Sequence, residues 1–291
     1  TLGTKFSTIG TAQSTFPHAT DLTNEFDWAA IQQGLNIEKH AILPSGIGVL
    51  GTGTITIDGP YRLQGLGPEN LDTQILTKLI YTGKDYAIKV NSSAGFTTHG
   101  YIVKDFTLVG NQLGSGGIRI GSPTSPKAAK GTMENVWVSY FTGNGIDLVS
   151  SQVSNYKGIR SSWNSGHGIL FDDISGTANT VNTFYNCETS RNSKRGIYIK
   201  SALNARFYNL ISEENNYEGV YLECGTGQTA QSFGIQQIVF DSPWIEANNL
   251  NLTGYPGGIP TEIGQFSTNK LGTLGSKDIN INNATFSRGG I

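Results

Sequence analysis

Residues 155–171 read NYKGIRSSWNSGHGILF, and residues 182–199 (NTFYNCETSRNSKRGIYI) and 205–222 (ARFYNLISEENNYEGVYL) repeat the same phrase. Aligned on the glycine before the final apolar pair, these phrases end at Gly168, Gly196 and Gly219. Two fainter copies end at Gly117 and Gly145, so successive spacings are 28, 23, 28 and 23 residues. The residue after the glycine is Ile118, Ile146, Ile169, Ile197 or Val220, and two further on stand Ile120, Leu148, Phe171, Ile199 and Leu222. Nine before it come Leu108, Val136, Ile159, Cys187 and Leu210, a third apolar row; four before it come Asn164, Asn192 and Asn215, whose amides can bond their neighbours in a bend. Short period-2 runs between Gly, Asn and Ser at a fixed repeat predict a parallel β-solenoid, one turn per phrase. A helical repeat of this length needs long 3.6-period segments and few glycines, and this chain has 38.

A solenoid can absorb all 291 residues as one domain, because each coil needs only its neighbours. The expected division is 1–40 as lead-in and capping helix and 41–291 as coils. A net charge of −2 argues against nucleic acid, which needs a basic face. Two cysteines, Cys187 and Cys224, are too few for a disulfide framework, and Cys187 falls in an apolar row. No eighteen-residue apolar span or charged-then-apolar leader is present, so no membrane insertion is expected and any signal or anchor lies outside these residues.

In chain order, Thr1 to Thr20 is polar and reads as an extended lead-in. DLTNEFDWAAIQQGLN follows, with Thr23 or Asn24 placed to cap a helix whose first turn carries Glu25 and Asp27. Trp28, Ile31 and Leu35 share one face of it, and Gly34 weakens its end. Such a helix suits the open end of a solenoid, where strand edges and apolar rows need cover. The order of Asp27, WAAIQQGLN (28–36), AILPSG (41–46) and GTITIDGPYRLQGLG (53–67) resembles the entrance of the pectin-lyase-like right-handed β-helix superfamily, above all bacteriophage tailspike and capsule-depolymerase chains. The resemblance implies an all-β fold, a right-handed single-stranded parallel β-helix with a short N-terminal capping helix. It further implies a homotrimer, a bacterial surface polysaccharide as partner, and a place on the virion tail or outside the cell. Three excursions interrupt the coils, GSPTSPKAAKGT (121–132), a stretch near 223–234, and 248–277, and loops of that kind wall a groove or touch a neighbouring chain. The chain stops at Ile291 without an evident cap, which reads as a fragment or a trimer lacking its C-terminal part.

Coils lie about 4.8 Å apart, so outward residues at equivalent positions form columns that a linear polymer can follow. Alignment puts Trp163, Arg191 and Glu214 in one column, His167, Arg195 and Glu218 in another, Tyr198 and Tyr221 in a third, and Arg160 and Glu188 in a fourth. With Tyr217 and Trp244 these offer aromatic surfaces for sugar rings, guanidinium groups for carboxylates, and paired acids. Glycoside hydrolysis needs two carboxylates, which makes Glu188, Glu213, Glu214 and Glu218 the expected catalytic set. Trp163, His167, Arg191, Arg195, Tyr198, Tyr217, Tyr221 and Trp244 are the expected substrate-binding set. The competing reading makes Glu213, Glu214 and Glu218 solvated polar residues balanced by Arg191 and Arg195. Asp147, Asp172-Asp173, and Asp241 with Glu246 are lesser candidates, Asp241-Ser242-Pro243 reading as a turn.

Gly166-His167-Gly168, followed by Arg195-Gly-Ile-Tyr-Ile-Lys200, is similar to part of the polygalacturonase signature. Asn144 stands where that family has its first catalytic aspartate, and no Asp-Asp precedes Gly166. A lyase acting on a uronate-containing glycan would use His167 or a tyrosine as base, with Arg191 or Arg195 neutralising charge. No aspartate cluster for calcium or His/Cys spacing for zinc is found, and no cofactor is expected. The sequence thus points to a tailspike-like depolymerase that binds and hydrolyses a capsule or O-antigen polysaccharide, against the alternatives of a lyase or a non-catalytic glycan-binding adhesion fibre.

Overall fold

The computed structural model describes residues 2–17, 19, 25–68, 76–90, 98–122, 127–172, 179–223, 235–248, 266–268 and 277–287. The chain is a right-handed parallel β-helix. One sheet has eight parallel strands, Ile55–Ile57, Tyr86–Val90, Gly116–Ile120, Ile146–Leu148, Ile169–Phe171, Ile197–Ile199, Val220–Leu222 and Phe266–Thr268, each paired with the equivalent strand of the next coil. A longer sheet, of 21 strands among the described residues, makes up the other faces. Five of the eight strands carry the glycine phrase. Phe266–Thr268 lies inside the stretch expected to be an excursion, and Ala128–Ala129, inside another, pairs with Thr98–His99 and Ser151–Gln152. Residues 224–234, including Cys224, lie outside the described residues, as do Thr23, Asn24 and Asp173.

The glycines are dictated by close approach. A Cβ on Gly196 would meet Ser212 Oγ at 2.2 Å and the Gly219 carbonyl at 2.6 Å, so any side chain there would push the coils apart. The facing inward column is small and polar, Ser161, Thr189 and Ser212, and Ser161 Oγ and Ser212 Oγ donate to the Gly168 and Gly219 carbonyls, each at 2.8 Å. Beside them runs a buried asparagine ladder: Nδ2 of Asn164, Asn192 and Asn215 donates to Oδ1 of Asn192, Asn215 and Asn248 at 3.0, 2.9 and 2.8 Å. Asn248, the fourth rung, precedes no aligned glycine, so the phrase does not reveal it. Deeper in the core Tyr156, Phe184, Phe207 and Phe240 stack with ring centroids 4.5, 4.7 and 4.7 Å apart.

One register differs from the alignment. Val136 pairs with Phe106 rather than Leu108, which pairs instead with Val138, because the corner between Val109 and Gly116 is two residues longer than its successor. A slip of two preserves the facing of every side chain, so the apolar row survives it.

At the N-terminus two helices replace the expected extended lead-in and single cap. The first, α1 (Ile9–Thr15), is started by a capping box between Thr8 and Thr11. The second, α2 (Phe26–Glu38), is the expected helix and buries Trp28, Ile31 and Leu35. Its N-cap is Glu25, which makes no side-chain cap bond, and it runs through Gly34 to a left-handed Lys39. Among the described residues no helix is long and apolar enough to cross a membrane.

Candidate functional site

The expected site residues fall on two faces that meet at the asparagine corner. On the longer sheet the outward columns are Trp137, Arg160, Glu188, Ile211 and Trp244, and, two residues on, Ser139, Ser162, Ser190, Glu213 and Glu246. The next residue of each coil turns the corner in the left-handed region: Tyr140, Trp163, Arg191 and Glu214 have φ of 59, 59, 56 and 53°. That conformation costs a side chain about 1 kcal/mol per residue, and the amide ladder directly after it holds the bend.

These corner side chains stack along the helix axis. Tyr140 and Trp163 lie parallel with centroids 6.1 Å apart, Arg191 sits 5.1 Å from the Trp163 ring, and Arg191 pairs with Glu214. Both faces of the Trp163 ring are therefore taken, and its edge meets solvent. Beside it Arg160 bridges to Glu188 at 3.0 Å and lies 5.3 Å from the Trp137 ring, while Ser190 Oγ donates to Glu188 at 2.7 Å. A depression of about 370 Å³ lined by Trp137, Tyr140, Arg160, Trp163 and Arg191 lies to one side. A second of about 320 Å³, lined by Glu188, Ile211 and Trp244, lies to the other. Glu213 is half-buried; burial, then the charges of Glu188, Glu214 and Glu246, push its carboxyl above the usual glutamate range against the pull of Arg191.

On the eight-stranded sheet the residues expected to face a groove are largely enclosed. His167, Arg195, Tyr217 and Glu218 are 7, 6, 5 and 1% exposed. Arg195 Nε donates to Glu218 at 2.8 Å and the guanidinium lies 4.1 Å from the Tyr221 ring and 4.8 Å from that of Tyr198. His167 Nδ1 faces the Arg195 amide at 3.3 Å and its ring packs on Tyr198. Burial, aided by the positive charges of Arg195, Lys194 and Lys200, holds the imidazole well below its usual range, so it is neutral at pH 7. Of this group Tyr198 and Tyr221 remain half-buried.

The same sheet carries a cluster in which Asp147, a lesser candidate of the sequence, and Asn144 meet two residues the sequence did not single out, Tyr86 and Arg119. Its outward column runs Lys89, Arg119, Asp147, Leu170, Tyr198, Tyr221. The Tyr86 hydroxyl donates to Asp147 Oδ2, Asn144 Nδ2 donates to Asp147 Oδ1 at 2.9 Å, and the Arg119 guanidinium lies 4.0 Å from the Tyr86 ring. Burial raises the Asp147 carboxyl against those donors and Arg119. Burial and the Asp147 charge raise the Tyr86 phenol. The signal was present in the outward position of each Gly-Ile-x-Ile phrase: it selects Tyr198 and Tyr221, and in the two fainter copies it selects Arg119 and Asp147.

No family model matches the sequence, and no curated protein matches it. Solved structures do match. The tailspike protein gp49 from Pseudomonas phage LKA1 is 14% identical with a TM-score of 0.60, over 98% of this chain and 61% of that one. The enzymatically active domain of bacteriophage CBA120 tailspike protein 2 is 14% identical with a TM-score of 0.58, over 94% of this chain and 41% of that one. DFA-IIIase from Arthrobacter chlorophenolicus A6, without its lid, is 13% identical with a TM-score of 0.58, over 90% and 75%. The chain thus spans about three fifths and two fifths of the two tailspike chains. At these identities the likeness is one of fold, and it is the fold that the N-terminal motifs implied.

Proposed function

We propose that the chain binds a bacterial surface polysaccharide along the glutamate face and hydrolyses its glycosidic bonds, with Glu213 as proton donor and Glu188 as base on the attacking water. The observation that carries this reading is the contrast between the two carboxylates. Glu213 is raised by burial and by three neighbouring acids, as a proton donor requires, whereas Glu188 accepts from Arg160 and Ser190 and is held in place by them. Glu188 pairs with Ile211 and Glu213 with Ser190, so the two stand one coil and two residues apart. At coil and residue spacings of about 4.8 and 3.3 Å their backbone positions are about 8 Å apart, a spacing that suits an inverting pair, whose carboxyl groups stand roughly 6.5 to 9.5 Å apart with a water between them. The glycan substrate class is supported by the fold shared with tailspike proteins. The homotrimer and the virion-borne or extracellular location belong to the same reading.

The test is a product assay on a panel of purified capsular and O-antigen polysaccharides, following reducing ends together with ultraviolet absorbance from unsaturated uronates. Reducing ends without absorbance, lost in Glu213→Gln and Glu188→Gln, are the expected result. Absorbance would mean a lyase and would move the chemistry to the tyrosines and arginines of the other sheet. Tight binding of a polymer with neither signal would leave an adhesion fibre.

A further inference from the structure

Trp244 differs from the other tryptophans in having nothing laid on its ring. Trp28 is buried, Trp137 carries the Arg160 guanidinium, and Trp163 has Tyr140 on one side and Arg191 on the other. Among the described residues neither an aromatic ring nor a cation lies against Trp244, and its side chain is exposed. Ile211, one coil before it in the same outward column, is exposed as well, and Glu188 stands one coil further back. Single exposed apolar residues are ordinary, but these two border one depression of about 320 Å³ together with Glu188. They make an apolar step that ends about 10 Å from the proposed base at the coil spacing.

The corner beside this step carries a polar pair that is only half used. Asn209 Nδ2 donates to Asn186 Oδ1 at 3.0 Å, and both residues are exposed. Asn186 Nδ2 remains as a donor and Asn209 Oδ1 as an acceptor, neither with a partner among the described residues. Charge around the depression is one-sided. Glu188 is the charged group among its described lining residues, with Glu213 and Glu246 in the next column. The nearest arginine of the column, Arg160, is two coils from Ile211 and already bridges Glu188. An anionic sugar here would be repelled by the acids, whereas a neutral one meets an open indole, an aliphatic side chain and two free amide groups. A hydroxymethyl group set against Ile211 would give up water and gain no partner, while a methyl group in its place adds to the buried apolar surface.

We infer that Ile211 and Trp244, with the free amide groups of Asn186 and Asn209, form a subsite next to Glu188 that takes a neutral 6-deoxyhexose residue, its ring on Trp244 and its methyl group on Ile211. The inference rests on the glycan-binding part of the reading above. It names the class of sugar at one position of the polymer and does not depend on hydrolysis.

The test uses the full chain and methyl glycosides that differ only in the exocyclic group, with binding followed by ligand-observed NMR titration. The sets are L-fucoside against L-galactoside, L-rhamnoside against L-mannoside, and D-quinovoside against D-glucoside and D-glucuronoside. In at least one set the 6-deoxy sugar is expected to bind about tenfold more tightly than its hydroxymethyl parent, and the glucuronoside is expected not to bind. Trp244→Ala should abolish binding. Ile211→Ser should retain the hydroxymethyl parent and bring the two sugars of the preferred set to nearly equal affinity, a change of preference that a general loss of structure does not produce. Because the readout is binding, a protein that holds its polysaccharide without cutting it leaves the inference standing. A protein that binds no polysaccharide of the panel fails the glycan reading and takes this inference with it. One that binds a polysaccharide yet prefers no 6-deoxy sugar overturns this inference alone, as would tighter binding of the glucuronoside or a Trp244→Ala variant that binds as the parent protein does.

Discussion

Glu213 and Glu246 hold the same register position on successive coils, so two carboxylates stack at the coil spacing with Glu188 and Glu214 alongside. A carboxyl raised in the folded state contributes stability below its ordinary value and loses it as pH rises through the raised one. Glu213 is such a group. From about pH 4 upward, thermal melts should therefore show the parent protein losing stability relative to Glu213→Gln, which stays neutral throughout. Parallel curves across that window would mean that the acids do not sense one another.

Glu218 predicts a different outcome from Glu213. It is 1% exposed and bound to Arg195, itself nearly enclosed by tyrosines. Removing one charge of a buried pair costs about 3 to 5 kcal/mol, whereas replacing both by apolar residues of similar volume is often neutral. Glu218→Gln should lower the denaturant midpoint, and the Arg195→Met, Glu218→Leu double variant should recover much of it. Turnover per folded molecule, measured below the transition, should be little changed in Glu218→Gln; a loss there with unaltered stability would return Glu218 to the chemistry.

The sequence made the coils legible because their demands are local. The Gly, Asn and Ile columns each answer to the next coil alone, so alignment places Trp163 over Arg191 over Glu214 and His167 over Arg195 over Glu218, as the structure has them. What alignment could not give is depth. Whether an outward side chain lies open or is enclosed depends on what packs around it: His167 and Glu218 are covered, whereas Glu213 is only partly so. Nor could a single groove be told from two faces, since the corner after Glu214 turns the chain between them. Tyr86 was invisible for a third reason, since its strand precedes the first recognisable phrase and its partner Asp147 is two coils away.

The asparagine ladder should behave as one connected unit. Asn192 is fully buried, donates to Asn215 Oδ1 and the Ser161 carbonyl, and accepts from the amide and side chain of Asn164. Asn192→Leu keeps the branched shape and strands the Asn164 amide N–H, at a cost of about 1 to 3 kcal/mol for each buried group left unsatisfied. Asn192→Asp keeps the acceptor but loses the donor and buries a charge, so it should be the worse of the two at neutral pH and should recover as pH falls. Urea titrations at two pH values check the order, and equal costs at both would show that the aspartate ionises without penalty.

Cys187 tests the core directly. It takes the place in the buried row that Ile159 and Leu210 hold on the neighbouring coils, and burial pushes its thiol up to about 12. Only the thiolate attacks disulfide and alkylating reagents. At neutral pH the fraction ionised is therefore negligible, and the sulfur is shielded as well. In a Cys224→Ser background, where Cys187 is the remaining thiol, the native protein should resist an aromatic disulfide reagent for hours and react at once in denaturant. The labelling rate then reports opening of these coils, and it should rise in Asn192→Leu, whose ladder rung turns the corner of the coil that carries Cys187. Rapid labelling of the native single-cysteine protein would mean that this part of the core opens far more readily than its packing implies.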